Sequence, residues 1–463
     1  MPRFPAGFHW GVATSAYQIE GAVREGGRGV SIWDTFCRQP GAIRDGHTGD
    51  VATDSYHRWE QDVALLAGLG VTAYRFSIAW PRVQPDGKGP ANGPGLDYYE
   101  RLTDALLAAG ITPVPTLYHW DLPQPIEDEG GWLERQTAQR FADYAALTAE
   151  RLADRIEIWI TLNEPFVVTA FGYALGMHAP GKALMLDALP TAHHQLLGHG
   201  LAAAALRAAG ARQVMITNNY SPAWPASQSE ADRAATRAYD ILHNRMFTDP
   251  VLLGRYPDLS AFGLGGDAPG RPSGGGAPPG GGDPASGLAC VRDGDLAVIS
   301  APLDGLGVNY YMPARLSALP GSPLPFQLEP IPGYPVTAFG WPVVPAALTE
   351  LLTLLGERYG SALPPVHITE NGCSHDDTPA EDGTVDDQFR IGYLDGHLRA
   401  LHAAITAGAD VRGYFHWTLA DNFEWTEGFH QRFGLVHVDH DTQARTPKAS
   451  YAWYRDLIAA QRP

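Results

Sequence analysis

Two short apolar runs that each end in a glutamate point to the fold class of this chain. The first is Trp159-Ile160-Thr161-Leu162-Asn163-Glu164-Pro165, and the second is Val366-His367-Ile368-Thr369-Glu370-Asn371-Gly372. Each run contains β-branched residues and stops at Pro165 or Gly372, as expected of a buried strand that ends at a loop. If both are parallel strands of one closed sheet, their carboxyl groups emerge at the same rim.

Either glutamate taken alone has an ordinary structural explanation. A Glu just past a buried strand is usually a solvated strand end, or an acid in the first turn of a helix where the helix dipole favours it. Each of these two has an amide neighbour that could orient a ligand hydroxyl, Asn163 beside Glu164 and Asn371 after Glu370. The pairing of the two motifs, rather than either motif, therefore indicates a functional site.

Six further strand-like runs accompany these two. The candidate strands are Phe8–Thr14, Ala73–Ile78, Ile111–Tyr118, Glu157–Asn163, Val214–Asn219, Gly305–Tyr311, Pro365–Asn371 and Val411–Leu419. Apolar residues at helical spacing lie between most of them, for example Leu348, Leu352 and Leu355. Strands that alternate with helices in this number predict a parallel sheet closed into a (β/α)8 TIM barrel, with the active site at the C-terminal face of the strands. An open doubly wound sheet is disfavoured because no Gly-x-Gly-x-x-Gly follows the first strand.

One segment differs in composition from the rest of the chain. Residues 263–287 are dominated by Gly and Pro, and such a run buries too few side chains to offset the entropy of ordering. We predict a flexible insertion there, with a lid over the active site as the alternative. No domain boundary is evident elsewhere, so we expect residues 1–463 to form a single catalytic domain.

Charge and cysteine content exclude several classes of function. Lys+Arg number 33 and Asp+Glu 51, which gives a formal charge of −18 and disfavours nucleic acids and anionic membranes as partners. Cys37, Cys290 and Cys373 are odd in number and lack metal-ligand spacing, so neither a disulfide framework nor a zinc site is indicated.

Because no signal-peptide region and no 18-residue apolar run occur, we predict a cytoplasmic protein that does not span a membrane. Homo-oligomer formation is left open.

The residues just beyond the predicted strands suit a polyol. They are Gln18, Glu20, His119, Trp120, Asp121, Asn163, Glu164, Asn309, Tyr311, Glu370 and Trp417, with Glu424 and Trp425 in the loop after the last strand. A sugar presents hydroxyls around a ring with one apolar face, so its pocket needs bidentate polar groups and an aromatic platform. The cations and Gly-rich cradle that a polyphosphate needs are lacking. Each aromatic residue alone is more often structural, but the set favours polyol binding.

Six ordered motifs resemble those of the β-glucosidases of glycoside hydrolase family 1. They are Phe8–Gly21, Tyr74–Arg82, Tyr118–Pro123, Thr161–Pro165, Ile368–Gly372 and Asp421–Trp425. The match spans nearly the whole chain and is interrupted mainly by residues 263–287. The resemblance implies a cofactor-free and metal-free TIM-barrel hydrolase that removes terminal non-reducing β-D-glucosyl residues from β-glucosides and short cello-oligosaccharides, as in cellulose degradation.

The resemblance also implies roles for individual residues. Glu164 would be the general acid/base and Glu370 the nucleophile of a retaining mechanism, which requires the two carboxyls to be about 5 to 5.5 Å apart. Arg75 would support the nucleophile, and Trp341 would line the aglycone side. The other predicted substrate-binding residues are Gln18, His119, Trp120, Asn163, Asn309, Tyr311, Trp417, Glu424, Trp425 and Phe433.

This chemistry requires different pKa values for the two acids. Glu370 must be ionised to attack, so we expect Arg75 to hold its pKa low. Glu164 must be protonated when the bond breaks, so we expect its pKa to be raised toward roughly 6.

Sequence differences between this chain and other members of the family narrow the range of expected substrates. Relatives that cleave 6-phosphoglycosides carry a Lys and a Tyr near the eighth strand, where this chain has His430–Gly434 with Glu424 upstream, and a carboxylate there repels a phosphate. Relatives that cleave thioglucosides carry Gln in place of the acid, which is present here as Glu164. The resemblance therefore implies an unphosphorylated O-glycoside.

Several alternatives remain open. A β-galactosidase or β-fucosidase is one, because Gln18 and Glu424 can pair with either orientation of a hydroxyl, and a transglycosidase shares every catalytic residue. A non-catalytic sugar-binding protein is disfavoured because both carboxylates are present. A metal-dependent barrel hydrolase would have to use His193, His194 and His199, for which the solvated face of a helix is the simpler explanation.

Overall fold

The predicted strands close into a parallel barrel. The structure is a computed structural model that describes residues 2–264 and 288–462. The strands in these ranges are β1 (His9–Ala13), β2 (Ala73–Ser77), β3 (Thr112–Tyr118), β4 (Ile158–Asn163), β5 (Gln213–Tyr220), β6 (Ala223–Pro225), β7 (Gly305–Tyr310), β8 (Ala314–Ala318), β9 (Phe326–Glu329), β10 (Val366–Asn371), β11 (Val411–Trp417), β12 (Val436–Val438) and β13 (Arg445–Pro447). The closed barrel has the order β1, β11, β10, β7, β5, β4, β3, β2, and all neighbouring strands are parallel. The TIM-barrel prediction is confirmed.

Helices alternate with the barrel strands along the chain. In the described ranges they are α1 (Ala16–Ile19), α2 (Ile32–Phe36), α3 (Ser55–Leu69), α4 (Trp80–Val83), α5 (Gly93–Ala108), α6 (Gln124–Asp128), α7 (Gln136–Leu152), α8 (Pro165–Val167), α9 (Leu189–Ala208), α10 (Glu230–Asp240), α11 (Asp249–Leu253), α12 (Asp295–Ile299), α13 (Pro345–Tyr359), α14 (Gln388–Thr406) and α15 (Ala449–Gln461). Short 3₁₀ helices span Arg44–Gly46, Gly131–Leu133, Met185–Ala188, Ser260–Phe262, Gly360–Ala362 and Trp425–Glu427, and π-helical turns span Val168–Ala174 and Ile241–Arg245. No helix in the described ranges is both long and apolar enough to cross a membrane.

The helices form because their apolar residues repeat at helical spacing. On α13, for example, Leu348, Leu351, Leu352 and Leu355 are all buried against the barrel, and full burial of one such side chain contributes about 1.5–3 kcal/mol. α3 ends at Gly70, whose left-handed backbone (φ 77°) lets its N–H reach the last carbonyls of the helix.

The short strands outside the barrel were not predicted. β6, β8 and β9 form a small sheet in the loops after β5 and β7, and β12 and β13 form a hairpin after β11. These elements lie beyond the C-terminal ends of barrel strands, where the sequence analysis named no strand. The predicted Gly/Pro-rich insertion falls, from residue 265 to 287, outside the described residues.

Candidate active site

The strand that carries Glu164 changes its alternation just before the rim. Ile158 and Ile160 pack in the apolar cluster inside the barrel, whereas Trp159 and Leu162 pack in the cluster between the barrel and the helices. The pairing of β4 with β5 shifts register between Ile160 and Asn163. A bulge of this kind re-aims the side chains that follow it, and Asn163 thereby joins the polar network inside the barrel mouth.

The strand that carries Glu370 has a matching irregularity. The register of β10 against β7 shifts between Ile368 and Glu370. Thr369 and Glu370 are consecutive, yet both make polar contacts with other barrel strands, Thr369 with Asn309 and Glu370 with Arg75. Strict alternation would have sent one of the two outward.

Glu164 itself has a left-handed backbone (φ 46°, ψ 63°), which is uncommon for a residue other than glycine. Its N–H donates to the carbonyl of Thr217 at 2.9 Å, and Pro165 begins α8 directly after it. Such a conformation costs on the order of 1–3 kcal/mol and persists where the surroundings fix it, often at functional sites.

Arg75 on β2 holds the two glutamate-bearing strands together. Its Nη1 donates to Glu370 Oε1 at 2.6 Å and to the carbonyl of Thr369 at 3.0 Å. Its Nη2 donates to Asn163 Oδ1 at 2.6 Å, and its Nε donates to Thr116 Oγ1 at 3.1 Å. The guanidinium is 1 % exposed, so its charge is balanced inside the protein by Glu370.

Asn309 and Tyr311 complete the polar shell around the two acids. Asn309 Nδ2 donates to Glu164 Oε1 at 2.7 Å and to Asn163 Oδ1 at 3.0 Å. Tyr311 donates its hydroxyl to Glu370 Oε2 at 2.8 Å. Glu370 is therefore held by a cation and a phenol, whereas Glu164 is held by a neutral amide.

These surroundings separate the two carboxyls electrostatically. Burial, followed by the charge of Glu370, raises the pKa of Glu164 to about 8, which is higher than the value of roughly 6 expected from the sequence. Burial also raises the pKa of Glu370, while Arg75, Tyr311 and Asn309 lower it in part. The expectation of a low pKa at Glu370 is wrong, because burial outweighs the cation. Since Glu370 alone has the direct ion pair, we infer that it ionises before Glu164.

Gln18 and Glu424, both predicted to bind the sugar, contact each other. Gln18 Nε2 donates to Glu424 Oε2 at 3.2 Å and to the carbonyl of Phe423 at 2.9 Å. Burial, followed by the charge of Glu370, raises the pKa of Glu424 to about 8, and the hydrogen bonds from Gln18 and Trp417 oppose this shift.

His119 and Trp120 both contact Asn163. Asn163 Nδ2 donates to His119 Nε2 at 3.1 Å, and Trp120 Nε1 donates to the carbonyl of Asn163 at 2.9 Å. Burial, followed by Arg75, lowers the pKa of His119 well below its ordinary value. Because Nε2 accepts, the neutral ring carries its proton on Nδ1, which has no hydrogen-bond partner among the described residues.

The predicted aromatic residues form two groups. In the first, the Trp425 ring packs 4.6 Å from Trp120 and 6.0 Å from His119, and the Trp417 ring lies 5.8 Å from His119. In the second, Trp341 contacts Tyr311 at 5.3 Å and Phe433 at 6.0 Å. The structure thus brings every predicted substrate-binding side chain into contact with another member of the set.

Sequence analysis missed three supporting residues. Thr116 accepts a hydrogen bond from Arg75, and Thr369 donates one to Asn309. Phe339 stacks on Trp341 with ring centroids 4.4 Å apart. The sequence offered a signal only for Phe339, an aromatic residue two positions before Trp341.

Two rim acids do not join the site. Glu20 accepts hydrogen bonds from Arg82 at 2.8 Å and from Tyr99 at 2.6 Å, in a buried cluster of its own. Asp121 is 1 % exposed, and neither carboxylate oxygen has a hydrogen-bond partner in the described part of the chain. Burial raises the pKa of Asp121 to about 8, so it is a neutral interior group near neutral pH.

The three histidines of α9 are buried, so the expectation of a solvated face is wrong. His193 contacts Tyr256 and Asp295, His194 contacts the carbonyl of Trp132, and His199 contacts Thr161. Each ring is thus occupied by a different structural partner, and the three do not converge on one point.

Asp45, His47 and His430 are the described side chains that come nearest to a metal-ligand set. His430 Nε2 contacts Asp45 Oδ2 at 2.6 Å, and His47 Nδ1 accepts the backbone N–H of Phe429 at 3.1 Å. The remaining nitrogen of a neutral His47 therefore carries a proton and offers no lone pair to a cation.

Comparison with known proteins identifies the family. The family model described as Glycosyl hydrolase family 1 matches residues 1–463. The chain belongs to glycosyl hydrolase family 1. This family 1 chain is 48 % identical over 468 residues to thermostable beta-glucosidase B of Thermobispora bispora, covering 98 % of the chain and 90 % of the relative. It is 45 % identical over 479 residues to a bifunctional beta-D-glucosidase/beta-D-fucosidase of Bifidobacterium breve, covering 98 % of each.

Solved structures agree with this family 1 assignment. Psychrophilic beta-glucosidase BglU from Micrococcus antarcticus superimposes with a TM-score of 0.92 at 43 % identity over 100 % of both chains. The family 1 β-glucosidase from Thermotoga maritima gives a TM-score of 0.90 at 40 % identity, covering 99 % of this chain and 98 % of that one. The family 1 chain is therefore a glycoside hydrolase, as its motifs predicted.

Proposed function

We propose that this family 1 hydrolase is a retaining β-glucosidase that removes terminal non-reducing β-D-glucosyl residues from unphosphorylated O-glycosides and cello-oligosaccharides. The observation that carries the proposal is that Glu370 and Glu164 have different hydrogen-bond partners. Arg75 and Tyr311 hold both oxygens of Glu370, whereas Glu164 accepts from the neutral amide of Asn309. One carboxyl is thus suited to attack as an anion and the other to donate a proton.

In the first step, Glu370 attacks the anomeric carbon while Glu164 donates its proton to the departing glycosidic oxygen. A carbon–oxygen bond to Glu370 forms as the bond to the leaving group breaks, which gives a covalent glycosyl-enzyme. The raised pKa of Glu164 keeps it protonated at neutral pH.

In the second step, water replaces the leaving group. Esterification removes the negative charge of Glu370, and that charge is one of the causes that raise the pKa of Glu164. Glu164 therefore becomes a stronger acid in the glycosyl-enzyme and remains as the carboxylate, which takes a proton from the attacking water. Two inversions at the anomeric carbon return the sugar with its configuration retained.

The sugar would be held by the rim described above. Gln18 and Glu424 offer paired polar atoms for neighbouring hydroxyls, His119 offers its Nδ1–H, and the Trp417 ring provides an apolar face. Phosphate at the sugar is disfavoured because the segment His430–Gly434 lacks the Lys and the Tyr that hold it in the relatives that cleave 6-phosphoglycosides. Trp341, which stacks on Phe339, would line the aglycone side.

A second candidate substrate is the β-D-fucoside. It is favoured by the 45 % identical Bifidobacterium breve relative, whose name includes both activities. Initial rates on aryl glycosides that differ at one position of the ring will rank glucose, galactose and fucose as the preferred sugar.

We also propose a single catalytic domain in a cytoplasmic protein that acts in cellulose degradation. The family model over residues 1–463 supports the first point. The free thiols of Cys37, Cys290 and Cys373 are compatible with a reducing compartment.

The decisive test is covalent trapping. A 2-fluoro-β-glucoside with a good leaving group should label Glu370, as read by peptide mass spectrometry, and NMR of the first product should show the β-anomer. Label on another residue, or an α-anomer released first, would reject the mechanism. Glu370→Ala should lose hydrolysis and form an α-glucosyl azide when azide is added, because the small anion fills the vacated space.

A further inference from the structure

A buried ionic cluster lies beside the barrel mouth and has no part in the mechanism above. We call Lys448, Asp377, Asp387, Arg390 and Asp421 the Lys448 cluster; each residue is at most 4 % exposed. Lys448 Nζ lies 2.7 Å from Asp377 Oδ2 and 2.8 Å from Asp421 Oδ1. Arg390 Nη2 lies 2.6 Å from Asp377 Oδ2, and Nη1 pairs with Asp387.

The cluster joins parts of the chain that are distant in sequence. Asp377 belongs to the loop after β10, the strand of Glu370, and Asp421 belongs to the loop after β11. Lys448 immediately precedes α15, and its own N–H donates to the carbonyl of Leu435 at 2.9 Å. One ammonium group thus connects the loop after the nucleophile strand with the loop after the last barrel strand.

Asp421 also closes the loop that carries the sugar-binding residues. We call residues 421–434 the mouth loop; it contains Glu424, Trp425 and Phe433. Asp421 Oδ1 accepts the N–H of Gly434 at 2.9 Å, so one carboxylate oxygen joins the two ends of this loop. Arg390 Nη2 donates to the carbonyl of Arg432 at 2.7 Å and fixes the loop a second time.

The charges make this arrangement sensitive to its geometry. Burial alone raises the pKa of Asp421, but Lys448, His437 and Arg390 together hold it well below its ordinary value. Buried ion pairs seldom stabilise more than well-packed apolar residues do, whereas removing one partner leaves an uncompensated charge. The stability of this cluster therefore depends on the relative positions of the segments that supply its members.

We propose that Lys448 and Asp421 form a clasp that positions the mouth loop, and so sets Glu424 relative to Glu370. Both are positioning residues, since neither side chain hydrogen-bonds to Gln18, Glu424 or Glu370 in the described part of the structure. The inference rests on the proposed β-glucosidase function, because it concerns how the same sugar is held.

The test is a double-mutant cycle on kcat/KM for an aryl β-glucoside, made from Lys448→Met and Glu424→Gln. We expect Lys448→Met to lower kcat/KM about 10- to 100-fold in the wild-type background, as small misplacements in active sites do. With Gln already at position 424 we expect a loss of less than about threefold, because residues that act through one another are not additive. An equal loss in both backgrounds would overturn the clasp.

Arg445→Met is the matched control. Arg445 Nε pairs with Asp62 Oδ1 at 2.7 Å, and its side chain is 1 % exposed, but the pair joins β13 to α3. We expect this variant to lose thermal stability and to keep kcat/KM in both backgrounds, with rates measured below every melting transition. A control loss as large as that of Lys448→Met would count against a positioning role.

Asp421→Asn provides a milder second variant, used in the same cycle if Lys448→Met does not fold. It removes one charge and keeps an oxygen acceptor for Gly434, so we expect coupling of the same sign and smaller size. Crystal structures of the variants add a readout that does not depend on turnover. A displaced mouth loop supports the clasp, and an unmoved one overturns it. A wild-type enzyme that does not hydrolyse β-glucosides refutes the proposed function alone.

Discussion

At the scale of single residues, two carboxyls of the site share a raised pKa for similar reasons. Burial and the charge of Glu370 raise the pKa of both Glu164 and Glu424 to about 8. The proposed acid is protonated below that pH and ionised above it. We therefore expect kcat/KM on a β-glucoside to fall as pH rises through about 8.

Substitutions can show whether Glu164 or Glu424 causes the fall of kcat/KM at high pH, which is the basic limb of the pH profile. Glu164→Gln should abolish the limb on a substrate with a dinitrophenyl leaving group, which departs without acid assistance, and added azide should restore turnover. Glu424→Gln should lower kcat/KM and leave the limb in place. If the limb persists in Glu164→Gln and disappears in Glu424→Gln, the titrating group is Glu424, which contradicts the assignment of the limb to Glu164.

Arg75 is the residue on which the ionised nucleophile depends. Arg75→Met removes four hydrogen bonds and the cation beside Glu370, so the pKa of Glu370 should rise further and the acidic limb of kcat/KM should move to higher pH. We expect kcat/KM to fall about 10²- to 10³-fold, the usual loss for one preorganised donor. Arg75→Lys should restore the position of the acidic limb better than it restores the rate, because the forked geometry is lost. An unmoved acidic limb in Arg75→Met contradicts this role.

At the scale of elements, the two bulges were beyond prediction from sequence. Alternation along Val366, Ile368 and Glu370 places the glutamate on the outer face, yet the register shift after Ile368 brings it to Arg75. Composition cannot reveal a shift that depends on how neighbouring strands pair. The strand and its terminal carboxylate were predictable because the apolar run and the breaker at Gly372 are local signals.

A substitution at Gly307 on β7 tests how tightly the barrel strands pack beneath Asn309. A Cβ there would lie 2.0 Å from Thr217 Oγ1 and 2.9 Å from Thr369 Oγ1, and Thr369 donates to Asn309. We expect Gly307→Ala to destabilise the fold by about 1–3 kcal/mol and to lower kcat through a displaced Asn309. Thermal unfolding and initial rates measure the two effects.

Gly356 provides the matched control for this substitution. It lies within α13, and a Cβ there meets nothing within 4 Å. Gly356→Ala should stabilise the protein by about 0.5–1 kcal/mol, because alanine loses less backbone entropy in a helix, and it should leave kcat unchanged. If Gly307→Ala behaves like Gly356→Ala, the space beneath Asn309 is less constrained than the distances indicate.

At the scale of the whole molecule, the barrel was predictable and the interior polar network was not. The eight barrel strands repeat one local pattern, and their count favours closure into a barrel. In the sequence, Asp121 looks like a rim residue and His193 like part of a solvated face. Whether a polar side chain ends at the mouth, inside the wall or in solvent depends on packing across distant segments. Glu20 shows the same limit, since its partner Arg82 lies in another motif.

Buried histidines and buried carboxyls act in opposite directions on the stability of the fold in acid. Among the described residues, burial lowers the pKa to about 3 or 4 for His178, His194, His199, His243, His367, His397, His416 and His440. Unfolded histidine titrates near 6.5, so below that pH the unfolded chain binds more protons than the folded one. Each such histidine therefore removes up to about 1.4 kcal/mol of stability per pH unit as pH falls from about 6.5 toward 4. Asp121, Glu164 and Glu424 act in the opposite direction, because their folded pKa values of about 8 exceed the unfolded values of about 4.

The melting temperature, measured between pH 7 and 5, reports this change in stability. Substitution of one histidine removes the contribution of that residue. His397→Phe keeps a buried ring against Tyr393, whose centroid lies 3.9 Å away, and should make the decline of Tm with acid less steep. His57 is exposed, and Asp54 raises its pKa, so its stabilisation grows as pH falls and His57→Gln should make the decline slightly steeper. An unaltered slope in His397→Phe would show that this buried ring gains its proton without unfolding, through water or motion that reaches the interior.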